Sequence, residues 1–264
     1  MQNTALITGA SSGIGATYAD RLAQRGHDLV LVARDRVRLE ALAEKLRRET
    51  GRSVDVLQAD LTKRDDLLAV EDRLRSDANI DTLVNNAGMA VNGPLIDSDP
   101  DRLDQMIQLN TVAPMRLAHA AAKAFAGRGR GTIINISSVL ALVPELFNGT
   151  YSGTKAFLLN LSLSLNEELK GKGVRVQAVL PGATRTEIWE RAGIEGDVFP
   201  PEMVMEVGEM VGAALAGLDM GELVTIPSLS DTAHWQRYED ARNALGPNLS
   251  RDHAASRYQR SVAA

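Results

Sequence analysis

Short apolar runs alternate with longer stretches of helical period along most of this chain, and that alternation limits the fold more than any other feature. Ala5-Leu6-Ile7 precedes a helical pattern from Ile14 to Gln24, and Leu29-Val30-Leu31-Val32-Ala33 precedes charged helical material from Asp35 to Thr50. Val54 to Leu57 leads into Lys63 to Ser76, and Thr82-Leu83-Val84 runs into a glycine turn. Thr132 to Ile136, Val174 to Leu180 and Leu223 to Ile226 continue the series. Runs that are apolar throughout, rather than at every second position, predict strands buried on both faces. Strand and helix in regular order predict a parallel sheet covered by helices, and right-handed crossovers wind it in both directions.

A chain of 264 residues suits one large α/β domain, and a hydrophobic fraction of 44% is enough for its core. Aromatics make up only 4%, so that core is built from Ala, Leu, Val and Ile. A formal charge of -5 argues against a nucleic-acid partner, which needs clustered Lys and Arg. With no cysteine there is no disulfide, thiolate metal site or cysteine nucleophile. His27, His119, His234 and His253 show no ligand spacing, and no metal is expected. No G-x-S-x-G elbow is present. The N-terminal MQNTALITGA lacks a basic region followed by a long apolar run, and Met210 to Leu218 is too short to cross a bilayer. A soluble cytoplasmic protein without a membrane partner is expected.

The first apolar run passes directly into Thr8-Gly9-Ala10-Ser11-Ser12-Gly13-Ile14-Gly15. Three glycines fall where a strand turns sharply into a helix. Glycine admits positive φ and lets the backbone approach a pyrophosphate, while the helix N-terminus offers N–H groups and a positive dipole end. The alternative is a structural turn with Ser11 or Ser12 as a helix cap. The position after the first strand of a repeating α/β chain favours a nucleotide.

Tyr151-Ser152-Gly153-Thr154-Lys155 places a phenol and an ammonium four residues apart, on one face of a helix. A free phenol titrates near pH ~10, and a neighbouring cation favours the phenolate. The pair is therefore expected to give an acid tuned for carbonyl reduction and a base for alcohol oxidation. Ser137 and Ser138 end the run Ile134-Asn135-Ile136, at the strand edge where α/β sheets place ligands. A hydroxyl there donates to a carbonyl oxygen as charge develops on it, or else simply turns the chain.

These motifs together resemble the short-chain dehydrogenase/reductase family. Asn85-Asn86-Ala87-Gly88 follows the fourth strand, Asn110, Ser138, Tyr151 and Lys155 fall in the family's order, and Pro181-Gly182 follows the sixth strand. The resemblance covers roughly residues 2–226. It implies a Rossmann-like doubly wound domain over 1–228, with a seven-stranded parallel sheet in the order 3-2-1-4-5-6-7; residues 229–264, where Trp235, Tyr238 and Tyr258 stand among many charges, read from their own composition as a helical extension and tail. It selects Ser138, thirteen residues before Tyr151, as the oxygen-orienting hydroxyl. It also makes Asn110 part of a water-linked proton relay through Lys155, which in turn bonds the ribose.

The same resemblance assigns the dinucleotide to Gly9, Ser11, Ser12, Gly13, Ile14, Gly15, Asn86, Ala87, Gly88, Tyr151, Lys155, Pro181, Gly182, Thr184 and Thr186. Asp60-Leu61 resembles the adenine-contacting pair, with a helix cap as the alternative use of Asp60. At the end of the second strand, Ala33 occupies the place of the acid that holds the ribose 2′-OH in NAD enzymes. Arg34 follows and suits a 2′-phosphate, with Arg36 and Arg38 adding positive potential. NADP(H) is expected over NAD(H). The chain carries Ser12 where many NADP-binding members have a basic residue.

Leu140, Leu146 and Phe147, with Trp189 in a mobile lid running to Phe199, are expected to line an apolar pocket for a small-molecule carbonyl or alcohol. The stretch Ala156 to Leu169 is apolar almost all round. The family's assembly through this helix implies a homodimer or homotetramer. Two rival readings are an NAD-linked alcohol dehydrogenase and a regulatory protein that binds NADP(H) without turnover.

Overall fold

The computed structural model describes residues 3–193 and 199–258. The apolar runs form strands β1 (Thr4–Thr8), β2 (Asp28–Ala33), β3 (Val54–Gln58), β4 (Ile80–Asn85), β5 (Gly131–Ile136), β6 (Val174–Val179) and β7 (Val224–Thr225). They join one seven-stranded sheet, parallel at every pairing as the apolar pattern predicts, in the order β3-β2-β1-β4-β5-β6-β7 that the family resemblance implies. The strand order reverses between β1 and β4, which is where doubly wound sheets open a crevice for ligands.

Helices α1 (Gly13–Gln24), α2 (Arg36–Thr50), α3 (Arg64–Ser76), α4 (Pro100–Ile107), α5 (Ala113–Arg128), α6 (Gly149–Glu168), α7 (Ile188–Arg191), α8 (Val207–Asp219) and α9 (Thr232–Leu245) complete the described elements. Successive strand residues point to opposite faces, so each strand feeds two cores. Ala5, Ile7, Leu29 and Leu31 pack with Tyr18 and Leu22 of α1, Leu39 and Leu46 of α2 and Met210 of α8. Leu6, Val30 and Val32 pack with Leu67 and Val70 of α3, Leu117 and Phe125 of α5 and Leu165 of α6. Burial on both faces explains why the strands read as unbroken apolar runs. Among the described residues, no helix is long and apolar enough to cross a membrane.

The sequence from about Arg102 to Phe125 reads as one long helical stretch, but the structure divides it. α4 ends at Ile107, a π-helical turn occupies Gln108–Val112, and α5 starts at Ala113. Pro114 lies within the first turn of α5 and has no N–H to donate to the carbonyl of Asn110. Proline in this position is compatible with a helix start and incompatible with an uninterrupted ladder.

Buried polar bonds tie the sheet to the helices behind it. Asn85 and Asn135 stand opposite each other on β4 and β5. Asn85 Nδ2 donates to Asn135 Oδ1 at 2.9 Å and to Pro114 O at 3.1 Å, and Asn135 Nδ2 donates to Ser162 Oγ of α6 at 2.9 Å. These bonds fix α5 and α6 against the strands whose ends form the crevice.

The chain divides into two compact units, Met1–Pro227 and Ser228–Ala264. Within the second, Asp231 caps α9 by accepting from Ala233 N at 2.9 Å, and the rings of Trp235 and Tyr238 stand 5.1 Å apart.

Gly15 shows how tightly the first turn is closed. A methyl group there would collide with the Gly9 carbonyl and lie 2.5 Å from Asn86 Nδ2. Gly15→Ala is expected to lower unfolding stability by about 1–3 kcal/mol, the usual cost of overpacking. The urea midpoint measures it, and an unchanged midpoint would mean that the turn yields freely.

Candidate active site

β1 ends in the glycine turn, where Gly9 and Gly13 take φ of +66° and +53°. Asn86 Nδ2 donates to Thr8 O at 2.9 Å and Gly9 O at 3.3 Å, while Thr8 Oγ1 accepts from the N–H groups of Asn86 and Ala87, both at 3.0 Å. The turn and the Asn86-Ala87-Gly88 segment are thus bonded into one rim. Ser12 stands at the N-cap of α1 but makes no side-chain cap bond, and the first turn carries no acid. The serine-cap alternative is therefore not realised, and the positive end of α1 suits an anion. Thr186 overhangs the turn: a methyl on Gly13 would lie 3.3 Å from its Cγ2.

Tyr151 and Lys155 sit in the first two turns of α6, both buried. Lys155 Nζ donates to Ile136 O at 3.0 Å and stands 5.6 Å from the centroid of the Tyr151 ring. The Ser138 hydroxyl lies close enough to the Tyr151 phenol to favour its ionised form. The Ser138 hydroxyl also accepts from Leu140 N at 3.1 Å and lies 3.5 Å from Pro181 O. Ser137 donates to Lys155 O at 2.7 Å, so of the two adjacent serines one holds the helix and the other meets the phenol.

Burial pushes the Tyr151 phenol up to about 12, with the nearby Ser138 hydroxyl pulling the other way. Burial also lowers Lys155 to about 8. The sequence led us to expect the ammonium to lower the phenol. Desolvation is the larger effect here, so the phenol keeps its proton at physiological pH, beside a lysine whose own value lies near that pH.

Asn110 lies in the π-helical turn, 1% exposed. Its Oδ1 accepts from Met89 N at 2.9 Å, and its Nδ2 donates to Met89 O at 2.8 Å and Thr154 Oγ1 at 3.2 Å. Thr154 Oγ1 donates in turn to Tyr151 O at 2.7 Å. A methyl on Gly88 would lie 3.2 Å from Asn110 Oδ1 and 3.7 Å from Lys155 Nζ, so these three groups meet at one point.

At the end of β2, Ala33 is buried and Arg34 is exposed. Asp35 caps α2, accepting from Arg38 N at 3.0 Å. Arg36 pairs with Glu40 at 3.6 Å, and Arg38 grips both oxygens of Glu187 at 3.1 and 2.9 Å. Arg191 also pairs with Glu187 and reaches Ser12 Oγ at 3.4 Å. Asp60 Oδ1 accepts from Thr62 N at 3.1 Å and Thr62 Oγ1 at 2.7 Å, forming a local turn, while Lys63 takes the N-cap position of α3. Burial would raise the Asp60 carboxyl, but the Thr62 bonds, Arg34 and Lys63 hold it below its ordinary value. Leu61 is buried in the core. After β6, Thr184 Oγ1 donates to Gly182 O at 3.1 Å, and Thr186 Oγ1 lies 3.4 Å from Thr184 O.

Tyr151 belongs to an apolar cluster with Ala90, Leu103 and Met106, against which Met89, Val91, Leu140, Phe147 and Ile188 pack. Phe147 meets the Tyr151 ring edge-on at 5.4 Å and Trp189 at 6.2 Å, and Trp189 meets Phe199 at 5.2 Å. Trp189 Nε1 donates to Thr184 O at 3.1 Å. Leu146 is 70% exposed and stands outside the cluster. Residues 194–198 of the expected lid lie outside the described residues. Asn148 and the wall from Met89 to Met106 escaped the sequence reading. The signal for Asn148 was a good cap residue three positions before Tyr151. A cavity of about 310 Å³ opens beside Val91 and Ala192, and Asp97, Asp99, Arg102 and Arg191 also line it.

The donor set fits a dinucleotide, with an uncapped helix start at the glycine turn, cations beyond β2 and a buried ammonium carrying further N–H groups. Fold and site together define an oxidoreductase of the doubly wound α/β class. Residues 3–195 match the short chain dehydrogenase family. Human 17-beta-hydroxysteroid dehydrogenase type 3 is 40% identical over 257 residues, 93% of this chain and 80% of that protein. A short-chain dehydrogenase from Sphingobium yanoikuyae, solved in complex with NADPH, is 55% identical with a TM-score of 0.95, over 97% of this chain and 100% of that one. The bulky-bulky ketone specific alcohol dehydrogenase from Comamonas testosteroni is 51% identical with a TM-score of 0.90, over 98% and 99%. This chain belongs to the short-chain dehydrogenase family and acts on carbonyl and alcohol groups.

The lowered Lys155 has a consequence for stability. Below pH 8 the lysine is protonated in both folded and unfolded chains, and burial of its charge opposes folding throughout. Between its folded value of about 8 and its unfolded value of 10.5, the unfolded chain binds more protons, so stability rises with pH. The urea midpoint of the wild type is expected to climb from pH 8 to pH 10 relative to that of Lys155→Met. Parallel curves would show that this ammonium is not desolvated.

Proposed function

We propose that the chain is an NADP(H)-dependent reductase that interconverts a bulky hydrophobic ketone and its alcohol, with Tyr151 as proton donor. The observation that supports this reading is the buried Tyr151 side chain, with the Ser138 hydroxyl near its phenol and Lys155 Nζ 5.6 Å from the centroid of its ring. When bound, the cofactor supplies the hydride that reduces the carbonyl carbon. Ser138 orients and polarises the carbonyl oxygen, Tyr151 delivers the proton to it, and Lys155 restores that proton along the Asn110 side of the site.

The pyrophosphate falls to Gly9, Ser11, Ser12, Gly13, Ile14 and Gly15, and the 2′-phosphate to Arg34. Asp60 and Leu61 take the adenine, and Asn86, Ala87 and Gly88 form the rim beside it. Lys155 and Tyr151 bond the ribose, while Pro181, Gly182, Thr184 and Thr186 face the nicotinamide. The absence of an acid at Ala33 supports NADP(H), and the Sphingobium relative was solved with NADPH. Leu140, Phe147 and Trp189 supply apolar surface for the ketone, in keeping with the Comamonas relative's preference for bulky-bulky ketones. Half-exposed Phe157, Leu161 and Leu163 on α6 support assembly into a homodimer or homotetramer through that helix.

Tyr151→Phe is expected to cut kcat on a ketone panel by at least about 100-fold, while NADPH binding followed by fluorescence persists. Full turnover in this variant removes the mechanism. Ala33→Asp combined with Arg34→Ala is expected to shift relative kcat/KM from NADPH towards NADH. An unmoved ratio would place the 2′-phosphate elsewhere.

A further inference from the structure

We propose that Asn148 is a positioning residue for this reaction, whose one amide fixes both the backbone of Tyr151 and the segment that walls the substrate side of its ring. The inference rests on Tyr151 as the proton donor. Asn148 is 4% exposed, yet all four of its side-chain bonding positions are filled. Its Oδ1 accepts from the N–H groups of Thr150 at 3.0 Å and Tyr151 at 3.2 Å. Its Nδ2 donates to Gly93 O at 2.8 Å and to Ser98 Oγ at 3.3 Å. The orientation of the amide is unambiguous, because only the oxygen can meet two N–H groups and only the nitrogen can meet a carbonyl.

Capping a helix needs only the oxygen. Asp35, Asp99 and Asp231 supply one to α2, α4 and α9. An aspartate or serine would cap α6 equally well. The amide adds two donors, and both go to one short segment that is already folded on itself. Gly93 turns there at φ +93°, Asn92 Oδ1 accepts from Gly93 N at 2.9 Å, and Ser98 Oγ donates to Pro94 O at 2.8 Å.

The other end of this segment is held by Asn110, which bonds both the N–H and the carbonyl of Met89. Between the two anchors, Ala90 and Val91 pack into the cluster that contains Tyr151. The Tyr151 residue is gripped in the same way. Asn148 takes its N–H, and Thr154, bonded to Asn110, takes its carbonyl. Two asparagines from distant parts of the chain therefore hold the acid and the wall facing it in one register. The acceptor half of Asn148 governs where Tyr151 sits, which kcat reads. The donor half governs the pocket wall, which the KM for the ketone reads.

The two halves separate by substitution. Asn148→Ser keeps a cap oxygen but is too short to reach Gly93 and Ser98, whereas Asn148→Ala loses both functions. Ser98→Ala removes one anchor without touching α6. Steady-state kinetics with a bulky aryl ketone and saturating NADPH, at a temperature where circular dichroism shows each variant folded, reads the outcome. Asn148→Ser is expected to hold kcat within about threefold, as serine caps nearly as well as asparagine, and to raise the ketone KM roughly fivefold through lost hydrogen bonds. Asn148→Ala should lose about a further tenfold in kcat as the acid shifts. Ser98→Ala should raise KM about twofold with kcat held. The Kd for NADPH should stay fixed throughout, which a general loosening of the fold would not allow.

Wild-type KM in both Asn148→Ser and Ser98→Ala overturns the proposal, as does an NADPH Kd that weakens in step with KM. If Asn148→Ala does not fold, the serine variant and Ser98→Ala decide. Tyr151→Phe, run alongside, separates the two claims. An active Tyr151→Phe defeats the proton-donor reading itself, whereas an inactive one beside unaltered Asn148 variants defeats only the role of Asn148.

Discussion

Pro114 has no N–H for the carbonyl of Asn110, and the arrangement of the site follows from how the chain accommodates that. A regular helix from α4 into α5 would need the missing donor. The chain instead widens into a π-helical turn, a departure that recurs at functional sites. Within it the Asn110 side chain faces Met89 and Thr154. From Met89 the constraint passes to the wall of the apolar cluster, and from Thr154 to the carbonyl of Tyr151. Pro114 O also accepts from Asn85, which is bonded to Asn135 on the neighbouring strand. One position thus links the helix break to the sheet edge.

The electrostatics of the pair depend on burial more than on their mutual charge. Both Tyr151 and Lys155 are enclosed, so each is pushed towards its neutral form, the phenol upwards and the ammonium downwards. A phenol held in its acid form is the state a proton donor needs. A lysine titrating near 8 can pass a proton with little driving force in either direction. In the oxidative direction the phenol must lose its proton, and a positive charge brought close to it would then work with Lys155 against desolvation.

The strands, the first turn and the tyrosine–lysine pair were legible because each leaves a local mark: an apolar run, a cluster of glycines, a four-residue spacing; the order of the strands leaves none and followed only from the family resemblance. The division of the long helix was not legible, although Pro114 stood in plain sight. A proline near a helix start and a proline inside a helix look alike until the helix start is known. Asn148 was illegible for a different reason. Its cap role is local, but its partners Gly93 and Ser98 lie about fifty residues away in sequence, and no periodicity connects them. Arg38 shows the same limit from the other side. Its positive charge was legible, but its partner Glu187, which holds it by two bonds, lies far along the chain.

The buried polar set and its apolar surroundings are built from different materials in this molecule. Ser138, Tyr151, Lys155 and Asn110 stand on strand ends and helices, buried and bonded to backbone on several sides. Part of the apolar surroundings of Tyr151 comes from short turns and a four-residue helix, with Leu140, Phe147 and Ile188 packed against its cluster and Leu146 exposed outside it. Exchanging a residue on such a turn disturbs few other contacts, whereas exchanging one of the bonded set leaves a buried polar group without a partner. That asymmetry lets the apolar surroundings of Tyr151 vary at less cost than the bonded polar set they enclose.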